Sequence, residues 1–301
     1  MKRDFLTLWE LSKDEIEALL LRSAGFKTAK PKNGKPLTGK SIGLLFEKSS
    51  TRTRVSFEVG IYQLGGYPVY MHSSDSQMGR GETISDTARV LSRYFDGLVI
   101  RTYGQAILEE FARNCTIPVI NGLSDSHHPC QALADLLTIK EKKGTLKGVK
   151  LTYLGDCNNV TNSLIEASAI MGIPLSIACP KGYEPEESIM KRVREFGCHG
   201  IEIFNDPLKA VKQADVVYTD VWISMGDRAD QQKKKEALRP FQINDALLKN
   251  AKPDVTVLHC LPAHREEEIT GSVIEGPYSA VFDQAENRLH TQKALLEMLI
   301  T

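Results

Sequence analysis

Short runs of apolar and β-branched residues alternate along the chain with segments whose apolar residues recur at helical spacing. In the first half this pattern predicts strands at 41–46, 68–71, 97–102 and 117–121, and helices at 52–63, 82–93, 105–114 and 129–143. It then restarts, with strands at 149–154, 175–179, 201–204, 216–220, 255–260 and 279–282 and helices at 159–171, 186–196, 207–213, 243–250 and 286–300. Such alternation favours an α/β fold built on mostly parallel sheets flanked by helices.

Two breaks interrupt this alternation. The polar, glycine-flanked segment 144–148 separates the two sets of elements, and 301 residues is the length of about two domains, so we expect a domain junction there. The segment 222–242 has no clear periodicity, and irregular segments of that length usually act as functional lids or are disordered. We interpret it as a candidate lid and its lysines 233–235 as solvated surface.

Composition narrows the classes of protein that the chain can be. The formal net charge is zero, from 38 basic and 38 acidic residues, so no global field attracts nucleic acid or an anionic membrane. Hydrophobic residues make up 42% of the chain, which excludes disorder as its main state. The N-terminal residues lack the apolar core of a signal peptide, and we expect a cytoplasmic protein or a mature form that has already been cleaved. Six cysteines without a C-x-x-C pair indicate free thiols, not disulfides or structural zinc.

One apparent nucleotide motif fails on its context. Residues 34–41 match the phosphate-loop pattern G-x-x-x-x-G-K-[ST], which requires a strand before the loop and a helix after it. Here a polar segment precedes the match and a predicted strand follows it, so we interpret it as a turn.

The strongest local feature is Ser50-Thr-Arg-Thr-Arg54, at the junction between a predicted strand and a predicted helix. The open N–H groups at a helix N-terminus attract anions, and hydroxyl and guanidinium groups suit phosphate. An ordinary Ser/Thr helix cap with surface arginines is the alternative. The two arginines beside three hydroxyls favour an anion site.

Further polar groups follow other predicted strands. Pro129 suits the first turn of a helix, which would aim His128 and Gln131 at the carboxyl edge of the first sheet, although a simple capping histidine is equally compatible. In the second half, polar clusters at 155–159, 220–226 and 259–262 should share one edge. Asp220 could instead be a helix cap and Cys260 a small buried residue.

A zinc site at His259, Cys260 and His264 matches no usual ligand spacing and is disfavoured.

Together these motifs resemble a known family. Ser50-Thr-Arg-Thr-Arg54 with His128-Pro-Cys-Gln131 resembles the carbamoyltransferases. Asp-Val-Trp-Ile-Ser-Met-Gly at 220–226 and His-Cys-Leu-Pro at 259–262 resemble the ornithine-specific members of the aspartate/ornithine carbamoyltransferase family. The likeness extends from the first strand to Glu286-Asn-Arg288.

The resemblance implies an enzyme that transfers the carbamoyl group of carbamoyl phosphate to the δ-amine of L-ornithine, giving L-citrulline and phosphate, as in arginine biosynthesis or the urea cycle. It implies no metal and no cofactor. It also implies a carbamoyl-phosphate domain at 1–128 completed by a C-terminal helix at 286–301, a linking helix at 129–143 and an ornithine domain at 144–285. Two interdomain helices would join the domains, and the chains would form a homotrimer that shares Gln77 across the interface.

The resemblance also assigns roles by position. Those for carbamoyl phosphate are Ser50, Thr51, Arg52, Thr53, Gln77, Arg101, His128, Gln131, Cys260, Leu261 and Arg288. Those for ornithine are Asn159, Asp220, Ser224 and Met225. The catalytic set is Arg101, His128, Asp220, Cys260 and Arg288.

Several alternatives stay open at this point. Gln77, Cys260 and the 224–226 loop disfavour aspartate as the acceptor, whereas putrescine and N-acetylornithine share the reactive amine. A phosphate-loop kinase fails on the context of residues 34–41. A non-catalytic binding module would not need His128, Asp220 or Cys260, and all three are present.

Overall fold

The predicted alternation of strands and helices is present in a computed structural model, which describes residues 2–28, 34–75, 81–223 and 230–301. The chain divides into two units. Unit 1 is Met1–Leu137 with Glu286–Thr301, and unit 2 is Thr138–Ala285. Both divisions fall inside helices, so the chain passes from one unit to the other twice without leaving helical conformation.

Unit 1 contains a four-stranded parallel sheet in the order β2-β1-β3-β4 within the described residues. The strands are β1 Ser41–Phe46, β2 Tyr67–His72, β3 Gly97–Arg101 and β4 Val119–Leu123. The α-helices that begin in unit 1 are α1 Lys13–Thr28, α2 Thr51–Gln63, α3 Ile84–Leu91, α4 Gln105–Asn114 and α5 Pro129–Lys143, of which α5 ends in unit 2. β1 is central and almost wholly buried, and Gly43 lies in it where an added Cβ would be 2.6 Å from Leu98 Cδ2.

Unit 2 contains a five-stranded parallel sheet in the order β7-β6-β5-β8-β9 within the described residues. The strands are β5 Leu151–Leu154, β6 Leu175–Ala178, β7 Ile201–Phe204, β8 Val216–Thr219 and β9 Thr256–His259. The helices are α6 Asn159–Met171, α7 Glu187–Glu195, α8 Pro207–Val211, α9 Gln231–Leu238, α10 Asp245–Leu248, α11 Gly271–Ile274 and α12 Val281–Ile300, which continues into unit 1.

The buried helix α6 illustrates how local sequence sets these boundaries. Asn158 caps its N-terminus by accepting from the Val160 N–H at 2.9 Å, and Gly172 ends it with a φ of 70°, a left-handed conformation that glycine adopts without strain. The prediction of 159–171 is confirmed, as are the helix predictions at 105–114 and 129–143.

The strand predicted at 279–282 is wrong. Val257 in β9 donates to Tyr278 O and accepts from the Ala280 N–H, which forms a single bridge around Ser279. The Gln284 N–H then bonds to Ala280 O at 2.9 Å, so α12 begins at Val281, five residues before the predicted start. The apolar run therefore forms a single β-bridge at the edge of the sheet, and helical hydrogen bonding begins directly after it.

The irregular segment predicted at 222–242 is wrong in its second half. Residues 231–238 form α9, which Asp230 caps by accepting from the Lys233 N–H, and a short 3₁₀ turn follows. Gln, Lys, Glu and Ala have good helix propensity, but few apolar residues give them a visible period. Only Lys234 and Leu238, four residues apart, are buried along this helix.

Other described features complete the comparison with the sequence. Helix α1 was not among the predicted elements. The loop with the phosphate-loop pattern leads into β1, which confirms that a strand, not a helix, follows it. None of the helices in the described part of the chain is both long enough and apolar enough to cross a membrane.

Candidate active site

Two buried arginines of unit 1 direct their guanidinium groups at one hydroxyl. Arg101 Nη1 lies 3.4 Å from Thr53 Oγ1, and Arg288 Nη2 lies 3.3 Å from the same oxygen. All three side chains are buried. The sheet register brings Thr53 and Arg101 together, because Phe46 at the end of β1 pairs with Arg101 at the end of β3, and α2 begins a few residues after Phe46. The predicted site residues Thr53, Arg101 and Arg288 therefore form one cluster.

The N-terminus of α2 adds a second attraction for anions. Ser50 Oγ accepts from the Thr53 N–H at 3.3 Å and caps the helix, and its first turn holds no acidic residue. Thr51 and Arg52 are exposed in that turn, where their side chains are accessible to a ligand. The positive end of the helix dipole and the guanidinium groups act in the same direction.

His128 and Gln131 join this cluster through Arg288. Arg288 Nη1 donates to Gln131 Oε1 at 2.7 Å and lies 3.5 Å from His128 Nε2. Burial lowers the pKa of the His128 imidazole well below its ordinary value. The positive charges of Arg288, Arg101 and Arg52 lower that pKa further, so the imidazole is neutral at physiological pH.

Cys130, which lies between the two polar side chains of this turn, belongs to the core. Its thiol is buried, and burial raises its pKa to about 12. A thiol with such a pKa stays protonated at neutral pH and does not act as a nucleophile.

Unit 2 carries a smaller, acidic cluster. Cys260 Sγ donates to Asp220 Oδ1 at 2.9 Å, and Asn158 Nδ2 donates to Asp220 Oδ2 at 2.7 Å. Asp220 is buried, and the three residues follow β8, β9 and β5, whose carboxyl ends meet at one edge of the sheet. The predicted pair Asp220 and Cys260 is thus in contact, and Asn158 holds the second carboxylate oxygen.

The backbone after β9 is fixed by a buried histidine. His259 Nδ1 accepts from the Leu261 N–H at 2.9 Å, and His259 Nε2 lies 3.0 Å from Glu268 Oε1. Leu261 has a φ of 58° and precedes a cis peptide bond to Pro262. A positive φ in a leucine is uncommon and requires support from its surroundings, which the His259 contact supplies.

The donor atoms of Asp220, His259 and Cys260 lie within 4.8 Å of one another, a spacing that a divalent cation could use. Both ring nitrogens of His259 already have hydrogen-bond partners, Leu261 and Glu268. The imidazole is therefore committed to the turn, and we assign no metal to this group.

Lys234 departs from the interpretation of residues 233–235 as a solvated run. Its Nζ lies 2.7 Å from Asp156 Oδ2, and both side chains are largely buried, at 9% and 15% exposed. Asp156 lies in the loop between β5 and α6, two residues before the Asn158 cap. The ion pair attaches α9 to the loop that supports Asp220.

The remaining predicted residues divide into two groups. Gln77, Ser224 and Met225 lie outside the described residues. Asn159 is half-buried at the first position of α6, next to the cap that contacts Asp220.

Sequence reasoning missed four polar residues that support the candidate site: Asp135, Asn158, Lys234 and His259. Asn158 and His259 lie within the polar clusters at 155–159 and 259–262, and the pair Asn158-Asn159 before an apolar helix is a recognisable helix-cap signal. Lys234 has no local signal, because only tertiary structure brings it to Asp156, whereas the spacing of four residues between Gln131 and Asp135 on one predicted helix was a usable signal.

Comparison with known families gives a consistent result over the whole chain. The family model described as the carbamoyl-P binding domain of aspartate/ornithine carbamoyltransferase matches residues 3–141. The model described as the Asp/Orn binding domain of the same family matches residues 147–299.

Individual proteins align at full length. The chain is 51% identical over 302 residues to an ornithine carbamoyltransferase of Syntrophus aciditrophicus, with 100% of each chain covered. It is 54% identical over 303 residues to one of Geobacter sulfurreducens, again with 100% of each covered. The solved ornithine carbamoyltransferase of Pyrococcus furiosus superposes with a TM-score of 0.94 at 51% identity, covering 99% of this chain and 97% of that one.

The buried ion pair of α9 makes a prediction about stability. Lys234→Met should lower the free energy of unfolding by about 3 kcal/mol, because it leaves the Asp156 carboxylate buried without its cation. Lys233→Met makes the same change at an exposed neighbour in the same helix and should cost less than about 0.5 kcal/mol. Urea unfolding of both variants measures the difference. Equal losses would contradict a structural role for the Lys234–Asp156 pair.

Proposed function

The chain belongs to the aspartate/ornithine carbamoyltransferase family, and we propose that it transfers the carbamoyl group of carbamoyl phosphate to the δ-amine of L-ornithine, releasing L-citrulline and phosphate. The observation that carries this proposal is the buried cluster in which Arg101 and Arg288 donate to Thr53. Its charge and geometry suit a small phosphorylated anion. Carbamoyl phosphate is already an activated mixed anhydride, so the transfer needs no cofactor.

In this proposal the phosphate is held at the N-terminus of α2 by Ser50, Thr51, Arg52 and Thr53. Backbone N–H groups and the exposed Arg52 would meet its oxygens, as the open first turn of a helix allows. The other proposed contacts are Gln77 from a neighbouring chain, Arg101, His128, Gln131, Cys260, the Leu261 carbonyl and Arg288. Neutralising the phosphate also makes it a better leaving group.

The proposed chemical step is attack of the neutral δ-amine on the carbamoyl carbon. Attack builds negative charge on the carbamoyl oxygen, and Thr53, Arg101 and His128 would donate to it. A neutral His128 keeps one N–H to donate, and its low pKa keeps it from adding a further positive charge. One such preorganised donor is typically worth about 3 kcal/mol of the barrier. Once the carbon–nitrogen bond has formed, the carbon–oxygen bond to phosphate breaks, and the proton that the amine nitrogen loses leaves with the phosphate as hydrogen phosphate.

For the amine, we propose that Asp220 and Cys260 bind and orient the δ-nitrogen, while Asn159, Ser224 and Met225 hold the α-amino and carboxylate head. The support is the buried Asp220 carboxylate, which attracts an ammonium group and repels a second carboxylate. That charge favours ornithine over aspartate. Putrescine and N-acetylornithine offer the same amine, so the choice among the three rests on the head-group residues.

We propose the following division of labour along the chain: 1–128 with 286–301 for carbamoyl phosphate, 129–143 as a linking helix, and 144–285 for ornithine. The buried arginine cluster in unit 1 and the acidic cluster in unit 2 support it. The ureido group of citrulline is one nitrogen short of the guanidino group of arginine. We therefore propose a step in arginine biosynthesis.

A homotrimer in the cytoplasm is also part of the proposal. Val55, Val59 and Tyr62 are exposed at helical spacing on one face of α2, which favours a protein contact there. Sedimentation equilibrium should give three times the chain mass of 33.5 kDa, and a stable single chain would contradict the trimer. The six free cysteines suit a reducing compartment, which fractionation of the source cells would test.

The activity is tested by supplying the purified protein with carbamoyl phosphate and, separately, ornithine, aspartate, putrescine or N-acetylornithine. We expect carbamoylated product with ornithine at a kcat/KM at least about 100-fold above that with any other amine. A site that hydrogen-bonds a polar head rejects putrescine and N-acetylornithine, in which that head is missing or blocked, and the Asp220 carboxylate repels the side chain of aspartate. A preference for another amine would overturn the ornithine assignment. Absence of product with all four would overturn the transferase assignment.

Arg52 tests the phosphate site separately. Arg52→Ala should raise the KM for carbamoyl phosphate by at least about tenfold, since it removes a charge-assisted contact worth about 1.5–3 kcal/mol. Arg54→Ala is the matched control, because Arg54 lies in the same turn but bonds to Glu58 at 2.9 Å. It should change that KM by less than about twofold. Equal effects of the two variants would contradict the assignment of Arg52.

A further inference from the structure

A fully buried carboxylate lies one helical turn beyond the candidate active site. Asp135 has no exposed surface, and its Oδ1 accepts from Gln131 Nε2 at 2.8 Å. The two residues are four positions apart on α5, so they share one face of that helix. No role for Asp135 follows from the proposed mechanism as it stands. Burying a carboxylate costs free energy unless it is paired, so its presence at this position calls for an explanation.

The hydrogen bonds of Gln131 define which way its amide faces. The NH₂ group meets the Asp135 carboxylate, which accepts hydrogen bonds, and the oxygen meets the Arg288 guanidinium, which can only donate. Reversing the amide would set oxygen against the carboxylate and N–H against the guanidinium. Two charged neighbours at opposite ends thus hold one orientation, and the carbonyl oxygen keeps a second lone pair for a ligand.

We infer that Asp135 is a positioning residue, which fixes the Gln131 amide so that the site offers an acceptor to the N–H of a carbamoyl group. The inference rests on the proposed function. It assigns Asp135 a part in substrate selection: an acyl phosphate with a methyl group in place of the amine has no hydrogen to give to Gln131 Oε1. Accepting from the amide NH₂ also polarises the carbonyl and strengthens it as an acceptor.

The test compares two anions that differ only at that position, carbamoyl phosphate and acetyl phosphate. Their dissociation constants are measured by titration calorimetry without amine. Loss of a buried negative charge changes the affinity for both phosphates in the same direction, so the ratio of the two constants isolates the amide. In Asp135→Asn the neighbour can either donate or accept, and we expect the preference for carbamoyl phosphate to fall about tenfold, the value of one well-made hydrogen bond.

Two further variants locate the effect. In a Gln131→Leu background, Asp135→Asn should alter the ratio by less than about twofold, because the group that it orients is gone. Glu141→Gln changes an exposed carboxylate on the same helix and should leave the ratio unchanged. Circular dichroism checks the fold, and Asp135→Ser, which adds no bulk, replaces Asp135→Asn if that variant unfolds.

The outcomes separate this inference from the proposed function. Wild-type protein that forms no citrulline would overturn the proposed function. Active wild-type protein with an unchanged ratio in Asp135→Asn and Asp135→Ser would overturn the positioning role alone. A fall of the same size in the Gln131→Leu background would also overturn it, because Asp135 would then act by another route.

Discussion

The candidate active site depends on the burial of two guanidinium groups beside one threonine hydroxyl. Arg101 and Arg288 cannot lose their protons, and charge removed from water is costly unless acceptors surround it. The acceptors that they contact include a hydroxyl, an amide oxygen and an imidazole nitrogen, all uncharged. An anion is the partner that such a cluster favours most. Burial lowers the pKa of His128 most, and the same field lowers it further, because an imidazolium would add a like charge to the cluster.

This constraint explains why the supporting residues lie where they do. Arg288 lies on the last helix, Arg101 at the end of a strand and Thr53 at the start of a helix. Three separate segments of unit 1 must therefore be correctly positioned for the cluster to form. The parallel pairing of β1 with β3 sets two of these positions. The return of the chain into unit 1 through α12 sets the third.

Helix caps and helix periods, which local patterns encode, could be predicted from the sequence. Contacts that form only in the tertiary structure could not. The Ser50 cap, the Asn158 cap and the period of α5 are read within a few neighbours, and their elements were predicted closely. The pairing of Lys234 with Asp156 joins positions far apart in the chain, and no local period distinguishes Lys234 from the lysines beside it. The strand predicted at 279–282 is wrong for the same reason. An apolar run is compatible both with a single β-bridge and with the start of a helix, and only tertiary structure decides between them.

As the proposed binding site of the amine, the unit 2 cluster would face a conflict that a carboxylate without hydrogen-bond donors could not resolve. A carboxylate beside an ammonium raises the pKa of that ammonium, which improves binding but disfavours the neutral amine that must react. In this structure both oxygens of Asp220 already accept hydrogen bonds, one from Cys260 and one from Asn158. In the proposed function those donors would draw negative charge toward themselves and reduce the electrostatic effect of Asp220 on the pKa of the amine. Asn158 is itself held by the α6 cap, so the moderation of Asp220 is built into the start of a buried helix.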